Sequence, residues 1–356
     1  KCTGKGALNK NNIGDRSKLG AYLLPGRIKD PSEGIAQAIK GEELGLGTLW
    51  LSERWGNKDV GAICGALSQV SPSTYIAAGT THFLTRHPVV LASMAMTLQS
   101  LSSGKFILGI GRGVPEMFQP IGLPNISFKH LIDSLDIHKK LCKGEVVNYK
   151  GILGKYSDMQ LKDLPDIKQP PVILGAIGPK ALKIAGTYFD GVILHPFLTP
   201  DGVRRCSKIV KESASKAGKD PDKIKIYATV VLAADLSTDK EEEIVGGRAV
   251  SYFQNQSYAS ILVNFNGWDQ NILRNLWEHP LLKNLKSNAD QTFTNKELVE
   301  VSRILPREWL ISGGAVGTRE HCASRLEDYL ASGADNIIIH GSTPETLAPT
   351  IELFSN

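Results

Sequence analysis

Six short stretches of this 356-residue sequence set side chains that can do chemistry beside small residues that leave the backbone bare. Ser52-Glu53-Arg54-Trp55 joins a hydroxyl, a carboxylate, a guanidinium and an indole, which together can hold a polar heterocycle by hydrogen bonding, charge and stacking. A plain surface Glu–Arg pair accounts for the same letters equally well. Ala78-Gly79-Thr80-Thr81-His82 leads into Arg86-His87-Pro88. Glycine where a strand meets its loop marks an unusual backbone or a close ligand, and His82 is a candidate acid or base, although a single histidine is more often a plain loop residue. Leu108-Gly109-Ile110-Gly111-Arg112-Gly113 strips one face of its side chains, leaving room for something bulky against the main chain. Gly175-Ala176-Ile177-Gly178 runs into Pro179-Lys180, with proline well placed to start a helix. Bare amides ahead of a helix N-terminus make an anion site, typically for phosphate, or simply a tight strand–helix turn. His195-Pro196-Phe197 and His340-Gly341-Ser342 complete the set.

Such a set, rich in glycine and aromatics and poor in acids, fits a cofactor that performs the chemistry itself. The sequence has no His-Glu-x-x-His and no Gly-x-Ser-x-Gly, and its few strand-end carboxylates argue against glycoside hydrolysis. Its five cysteines, Cys2, Cys64, Cys142, Cys206 and Cys322, are scattered without Cys-x-x-Cys spacing, which speaks against a disulfide framework or a metal site. A reducing, cytoplasmic setting fits that usage. The formal charge of +5 is mild and dispersed, without the dense basic run of a nucleic-acid binder, and no apolar run is long enough for a membrane span. A slight positive excess suits an anionic small ligand. It equally fits a basic enzyme with no message in its charge.

The elements that must position these residues follow one alternating pattern. Strands are expected at Leu19–Leu24, Thr48–Leu51, Thr74–Ala78, Phe106–Ile110, Val172–Leu174, Gly191–Leu194, Ile224–Leu232 and Asn336–His340, with helical spacing after each. Eight such units predict a closed (β/α)8 TIM barrel over residues 18–356, with an open doubly wound sheet as the structural competitor. Residues 1–17 read as a flexible leader. An Asn-, Trp- and Tyr-rich insertion at about 250–312, before the last strand, reads as a lid or as a helical hairpin at an oligomer contact. In such barrels chemistry sits where strands end, which is where the six stretches fall.

In their order along the chain, LGLGTLWLSERWG, GTTHFLTRHPVVLAS, LSSGKFILGIGRG, PVILGAIGPKALKIAGTYFDGVILHPF and GTREHCASRLEDYLASGADNIII resemble the bacterial luciferase-like superfamily of flavin monooxygenases and coenzyme F420-dependent oxidoreductases. The likeness spans residues 18–340. It implies a non-proline cis bond at Gly79–Thr80 against the cofactor ring, with Thr81 beside it. It implies Ser52, Glu53 and Arg54 near the ring, Gly111 and Gly113 beneath it, and Gly175, Ala176, Ile177 and Gly178 around the phosphate. Sugar-phosphate dehydrogenases of the superfamily carry a histidine and a glutamate where this sequence has Arg54 and Val114, which argues against sugar-phosphate oxidation. ERWGNKD, GIGRGVPE, ILHPFLTP and NGWD are similar to a deazaflavin branch whose substrate the residues do not name.

The resemblance implies hydride transfer between coenzyme F420 and a small organic substrate, with Glu53, His82 and His195 as candidate proton partners. Arg54, Trp55 and His340 fall on the substrate side. An FMN-dependent monooxygenase is the alternative within the superfamily, and a non-catalytic flavin-binding barrel is the alternative outside enzymology. A homo-oligomer, dimer or larger, is the assembly expected of relatives; no metal, nucleic-acid or membrane partner is expected.

Overall fold

Short apolar runs rich in Ile, Val and Leu, each bounded by a loop and a helix, build parallel strands buried on both faces. The computed structural model describes residues 13–55 and 58–355. Eight strands carry the fold: β1 Leu19–Tyr22, β2 Thr48–Leu51, β3 Tyr75–Thr81, β4 Phe106–Gly111, β5 Val172–Ala176, β6 Gly191–Leu194, β7 Lys225–Ala234 and β8 Asn336–His340. Each pairs in parallel with the next, from Gly20 opposite Thr48 round to Val230 opposite Ile339. Ile337 of β8 then pairs with Leu19 of β1, closing the ring. That closure excludes the open-sheet competitor. The fold is a (β/α)8 barrel.

Alternation along the strands sends one set of side chains to the barrel axis. Tyr22, Trp50, Ala77, Ile107, Ile173, Ile193, Tyr227 and Ile338, one from each strand, form that inner cluster. Trp50 is fully buried there, its indole N–H donating to Thr48 Oγ1 at 2.7 Å. The opposite faces pack under helices α1 Glu33–Glu43, α2 Val60–Ser68, α3 Pro88–Leu101, α4 Phe128–Cys142, α5 Pro179–Tyr188 and α6 Pro200–Lys216. Proline stands in the first turn of α3, α5 and α6, where its missing N–H costs no helical bond. Asp59 caps α2 by accepting from the Ala62 amide at 2.9 Å.

After β7 the chain makes a long helical excursion. It holds α7 Gly247–Phe253, α8 Gln256–Asn266, α9 Asn271–Trp277, α10 Ala289–Thr292, α11 Asn295–Ser302 and α12 Arg307–Ser312. Helices α13 Arg319–Ala331 and α14 Pro344–Ile351 flank β8. Helical backbone after β7 starts at Thr238, close to the helix start that the sequence places near Lys240. A strand at Ala315–Gly317 extends the sheet beside Leu232–Ala234, and a hairpin pairs Val147–Gly151 with Gly154–Met159. Neither was expected, because three residues carry no period and the hairpin is mostly polar and exposed.

Within the expected leader, Ile13–Asp15 pairs with Phe354–Ser355, and Arg16 Nε donates to the Phe354 carbonyl at 2.9 Å, a long-range pairing that sequence periodicity does not reveal. The rest of the leader, including Cys2, lies outside the described residues. Among those described, the four cysteines are free and buried, and no helix is long and apolar enough to cross a membrane.

Candidate active site

The C-terminal strand ends converge on a cavity of about 1020 Å³. Of the residues singled out from sequence, Ser52, Glu53, Arg54, Trp55, Gly79, His82, His195 and His340 line it. Thr80, Thr81, Gly111, Gly113, Gly175, Ala176, Ile177 and Gly178 are not in its lining. Several of them pack directly behind it.

The floor is built by the bulge at the end of β3. The Gly79–Thr80 peptide is cis, and pairing to β4 shifts register between Ala78 and Thr81. Tyr22 Oη donates to the Gly79 carbonyl at 2.8 Å, and the Glu53 amide donates to the Thr80 carbonyl at 3.2 Å. Close packing explains the neighbouring glycine: a Cβ on Gly111 would lie 2.6 Å from Thr80 Oγ1 and 3.2 Å from the His82 ring.

Glu53 is held hard. Its side chain is 2 % exposed, and both carboxylate oxygens face the Arg86 guanidinium, with Thr81 Oγ1 donating to Oε2 at 2.5 Å. Arg86 also reaches Asp59 at 2.8 Å. Bidentate pairing of this kind gives geometry as well as energy. Sequence reading missed Arg86 as a partner because the pair bridges two different loops.

The three histidines sit in distinct settings. His82 is buried, and its Nδ1–H donates to the Gly111 carbonyl at 2.9 Å, with Phe118 edge-on at 5.1 Å and Trp55 at 6.3 Å. His195 Nδ1–H donates to the Pro196 carbonyl at 2.8 Å, and Tyr252 lies edge-on at 4.9 Å. In both, a carbonyl partner fixes the proton on Nδ1 and leaves Nε2 with its lone pair. Burial lowers the pKa of each, to about 4 for His195. Burial, followed by the charges of Arg248, Lys58 and Arg54, pushes His340 well below the ordinary histidine value. His340 Nε2 lies 3.3 Å from Tyr252 Oη, while its buried Nδ1 has no hydrogen-bond partner. In all three rings burial favours the neutral form over the imidazolium.

A second group, largely unread in the sequence, lines the other side. Arg54 and Lys58 are tied back to back by paired backbone hydrogen bonds of 3.1 and 2.9 Å. Arg54 Nη2 meets Asp290 of α10 at 2.8 Å, and Arg248 of α7 lies 3.7 Å from the same carboxylate. The Arg-x-x-x-Lys spacing was the available signal for Lys58. Nothing local marks Asp290 or Arg248.

Across the mouth, α5 begins after Gly178, whose φ of +87° and missing side chain leave the first-turn amides without a side-chain cap. Arg112 and Lys180 lie over the same Phe128 ring, at 4.8 and 5.0 Å from its centre. Uncapped amides at a helix N-terminus are the kind of group that attracts an anion, as are the two cations. Among the described residues, no cluster of three or more His, Cys, Asp or Glu side chains could hold a metal ion. A smaller hollow of about 440 Å³, lined by Asp15, Lys18, Lys225 and Asp335, opens at the opposite end of the strands.

A parallel eight-stranded barrel with its bulge and polar side chains at the C-terminal mouth defines the class. The luciferase-like monooxygenase family model matches residues 13–336, and the chain belongs to that family. It is similar to 5,10-methylenetetrahydromethanopterin reductase of Methanolobus tindarius, at 28 % identity over 217 residues. That match covers 59 % of this chain and 64 % of the relative, slightly under two thirds of its length. F420-dependent glucose-6-phosphate dehydrogenase of Amycolatopsis mediterranei is 23 % identical over 335 residues, covering 87 % of this chain and 89 % of the relative. The solved structure of coenzyme F420-dependent tetrahydromethanopterin reductase from Methanopyrus kandleri superposes with a TM-score of 0.77 at 20 % identity. It covers 96 % of this chain and 97 % of that one, a likeness of fold.

Proposed function

We propose that the protein is an oxidoreductase that moves hydride between coenzyme F420 and a small organic substrate in the barrel mouth. The observation that carries this reading is the match to an F420-dependent dehydrogenase along 87 % of the chain, joined to a cavity at the C-terminal strand ends that Gly79, His82 and His195 line.

The residues present fit such a coenzyme. A cavity of about 1020 Å³ stands at the upper end of the roughly 300–1,000 Å³ typical of small-molecule and cofactor sites. Gly79 would face the ring, with Thr80, Gly111 and Gly175 packed behind it. The Gly178 turn, with Arg112 and Lys180, would hold a phosphate. When bound, a deazaflavin supplies the two-electron redox chemistry. The chain supplies position: face-to-face binding provides most of the rate in a reaction between two bound molecules. His82 and His195, each with Nε2 free and lining the cavity, are the groups placed to exchange the accompanying proton. Glu53, locked by Arg86, is a positioning residue for the loop after β2.

The family description also names monooxygenases, and the discriminating measurement is direct. The protein is titrated with reduced F420 and with reduced FMN, and oxygen consumption is followed. Binding of F420 without oxygen uptake supports the proposal. Tight FMN binding with oxygen uptake and no F420 binding replaces it with the monooxygenase reading, and binding without turnover across a broad substrate panel with a non-catalytic barrel.

A further inference from the structure

The cavity holds more positive charge than the protein neutralises. Arg54, Lys58 and Arg248 face a single carboxylate, Asp290, which lies 2.8 Å from Arg54 and 3.7 Å from Arg248. Lys58 is only 3 % exposed, and among the described residues its ammonium donates to one acceptor, the Leu24 carbonyl at 2.6 Å. An ammonium has three N–H donors, so two remain for a partner the chain does not provide. Buried charge without a partner is costly, and a fold retains it where a ligand completes the pairing. Beside the cluster, His340 is buried with an unpartnered Nδ1.

We propose that Arg54, Lys58 and Arg248 form an oxyanion subsite, and that the substrate carries a phosphate or carboxylate group anchored there. The word substrate rests on the oxidoreductase reading above; the oxyanion site itself does not. Position in the barrel separates this subsite from the coenzyme's own phosphate. Arg54 and Lys58 follow β2 and Arg248 sits on α7 in the excursion after β7, whereas the open amides at Gly178 follow β5. The same cavity is lined by Gly79, His82 and His195. Charge balance supports the same assignment: burial and the two arginines lower the Lys58 pKa to about 8, against the pull of Asp290, and a bound anion reverses that repulsion.

The test is calorimetric titration of the full chain with inorganic phosphate and with acetate at constant ionic strength. Each is run without coenzyme and after saturation with F420, or with FMN if F420 does not bind. Saturable binding of one or both anions is expected, and the better ligand names the group. Lys58→Met and Arg248→Met should each weaken it about tenfold or more, as loss of a charge-assisted contact does, with coenzyme affinity unchanged. Asp290→Asn should tighten it, because removing the internal carboxylate frees both arginines. That variant removes no cation, so it decides the matter even if the two methionine variants fail to fold. The proposal is overturned if neither anion saturates, if Asp290→Asn weakens binding or leaves it unchanged, or if coenzyme saturation abolishes anion binding. The last outcome would assign the cations to the coenzyme. Failure of the redox reading shows separately, as absence of coenzyme binding with the anion titration intact.

Discussion

The guanidinium of Arg86 closes on both carboxylate oxygens of Glu53, joining the loop after β3 to the end of β2 across 33 residues of sequence. With Thr81 Oγ1 on the same carboxylate, the pair fixes where the Gly79–Thr80 bulge stands relative to Ser52 and Arg54. The carboxylate side chain is almost wholly buried, with Arg86 as its ion-pair partner.

Replacing Arg86 by Met should therefore be severe. Removing one partner of a buried pair leaves an uncompensated charge and costs about 3–5 kcal/mol. The Glu53→Gln/Arg86→Met double variant should cost less than the sum of the two single changes, because it removes the stranded charge. Urea unfolding followed by circular dichroism measures all three. Strict additivity would show that the two residues are not coupled in solution.

The neutral histidines give a kinetic prediction. Replacing His82 or His195 by Asn keeps a hydrogen-bonding side chain but removes the base. For whichever ring exchanges the proton, kcat should fall by roughly 10²–10⁴ with coenzyme affinity unchanged. The other replacement should move kcat much less. Loss of coenzyme binding in both variants would instead mean that these rings hold the ligand.

The barrel itself was legible because its signals are local. Apolar runs such as Gly191–Leu194 and prolines at helix starts such as Pro179 and Pro344 lie within a few residues of what they dictate. Half of the mouth was legible for the same reason, since Glu53, His82, His195 and His340 all stand at strand ends. What failed was long-range. Arg54 meets Asp290 across 236 residues, and no period or cap marks that meeting. The hairpin Val147–Gly151 and Gly154–Met159 failed differently: its Lys, Asp and Gly content reads as loop, and backbone pairing rather than burial makes it a hairpin.

Acid should destabilise the fold through histidines that the native state keeps neutral. Burial holds His138 and His195 at a pKa of about 4, whereas an unfolded histidine titrates near 6.5. Between those values the unfolded chain binds more protons, so stability falls as pH drops from about 6.5 to about 4 and levels off below. For His138, 2 % exposed with Cys142 Sγ at 3.5 Å, the loss is on the order of 3 kcal/mol. His195, open to the cavity, contributes less. Denaturant midpoints across this range check the slope, and His138→Gln should flatten it.

Two glycines should respond in opposite directions to an added methyl group. Gly65 lies inside α2, and its Cβ would meet only Leu98 Cδ2, at an ordinary 3.8 Å. Gly65→Ala should stabilise the protein by about 0.5–1 kcal/mol, through helix propensity and a less flexible unfolded chain. Gly111 ends β4 under the bulge, where a Cβ 2.6 Å from Thr80 Oγ1 and 3.2 Å from His82 has no free space. Relief requires the bulge or the His82 ring to move, and overpacking of this kind costs about 1–3 kcal/mol. Because that shift occurs at the cavity floor, Gly111→Ala should weaken coenzyme binding, while Gly65→Ala leaves it untouched. Thermal unfolding and coenzyme titration on the two variants read both effects. An unchanged affinity in Gly111→Ala would separate the β3 bulge from ligand binding.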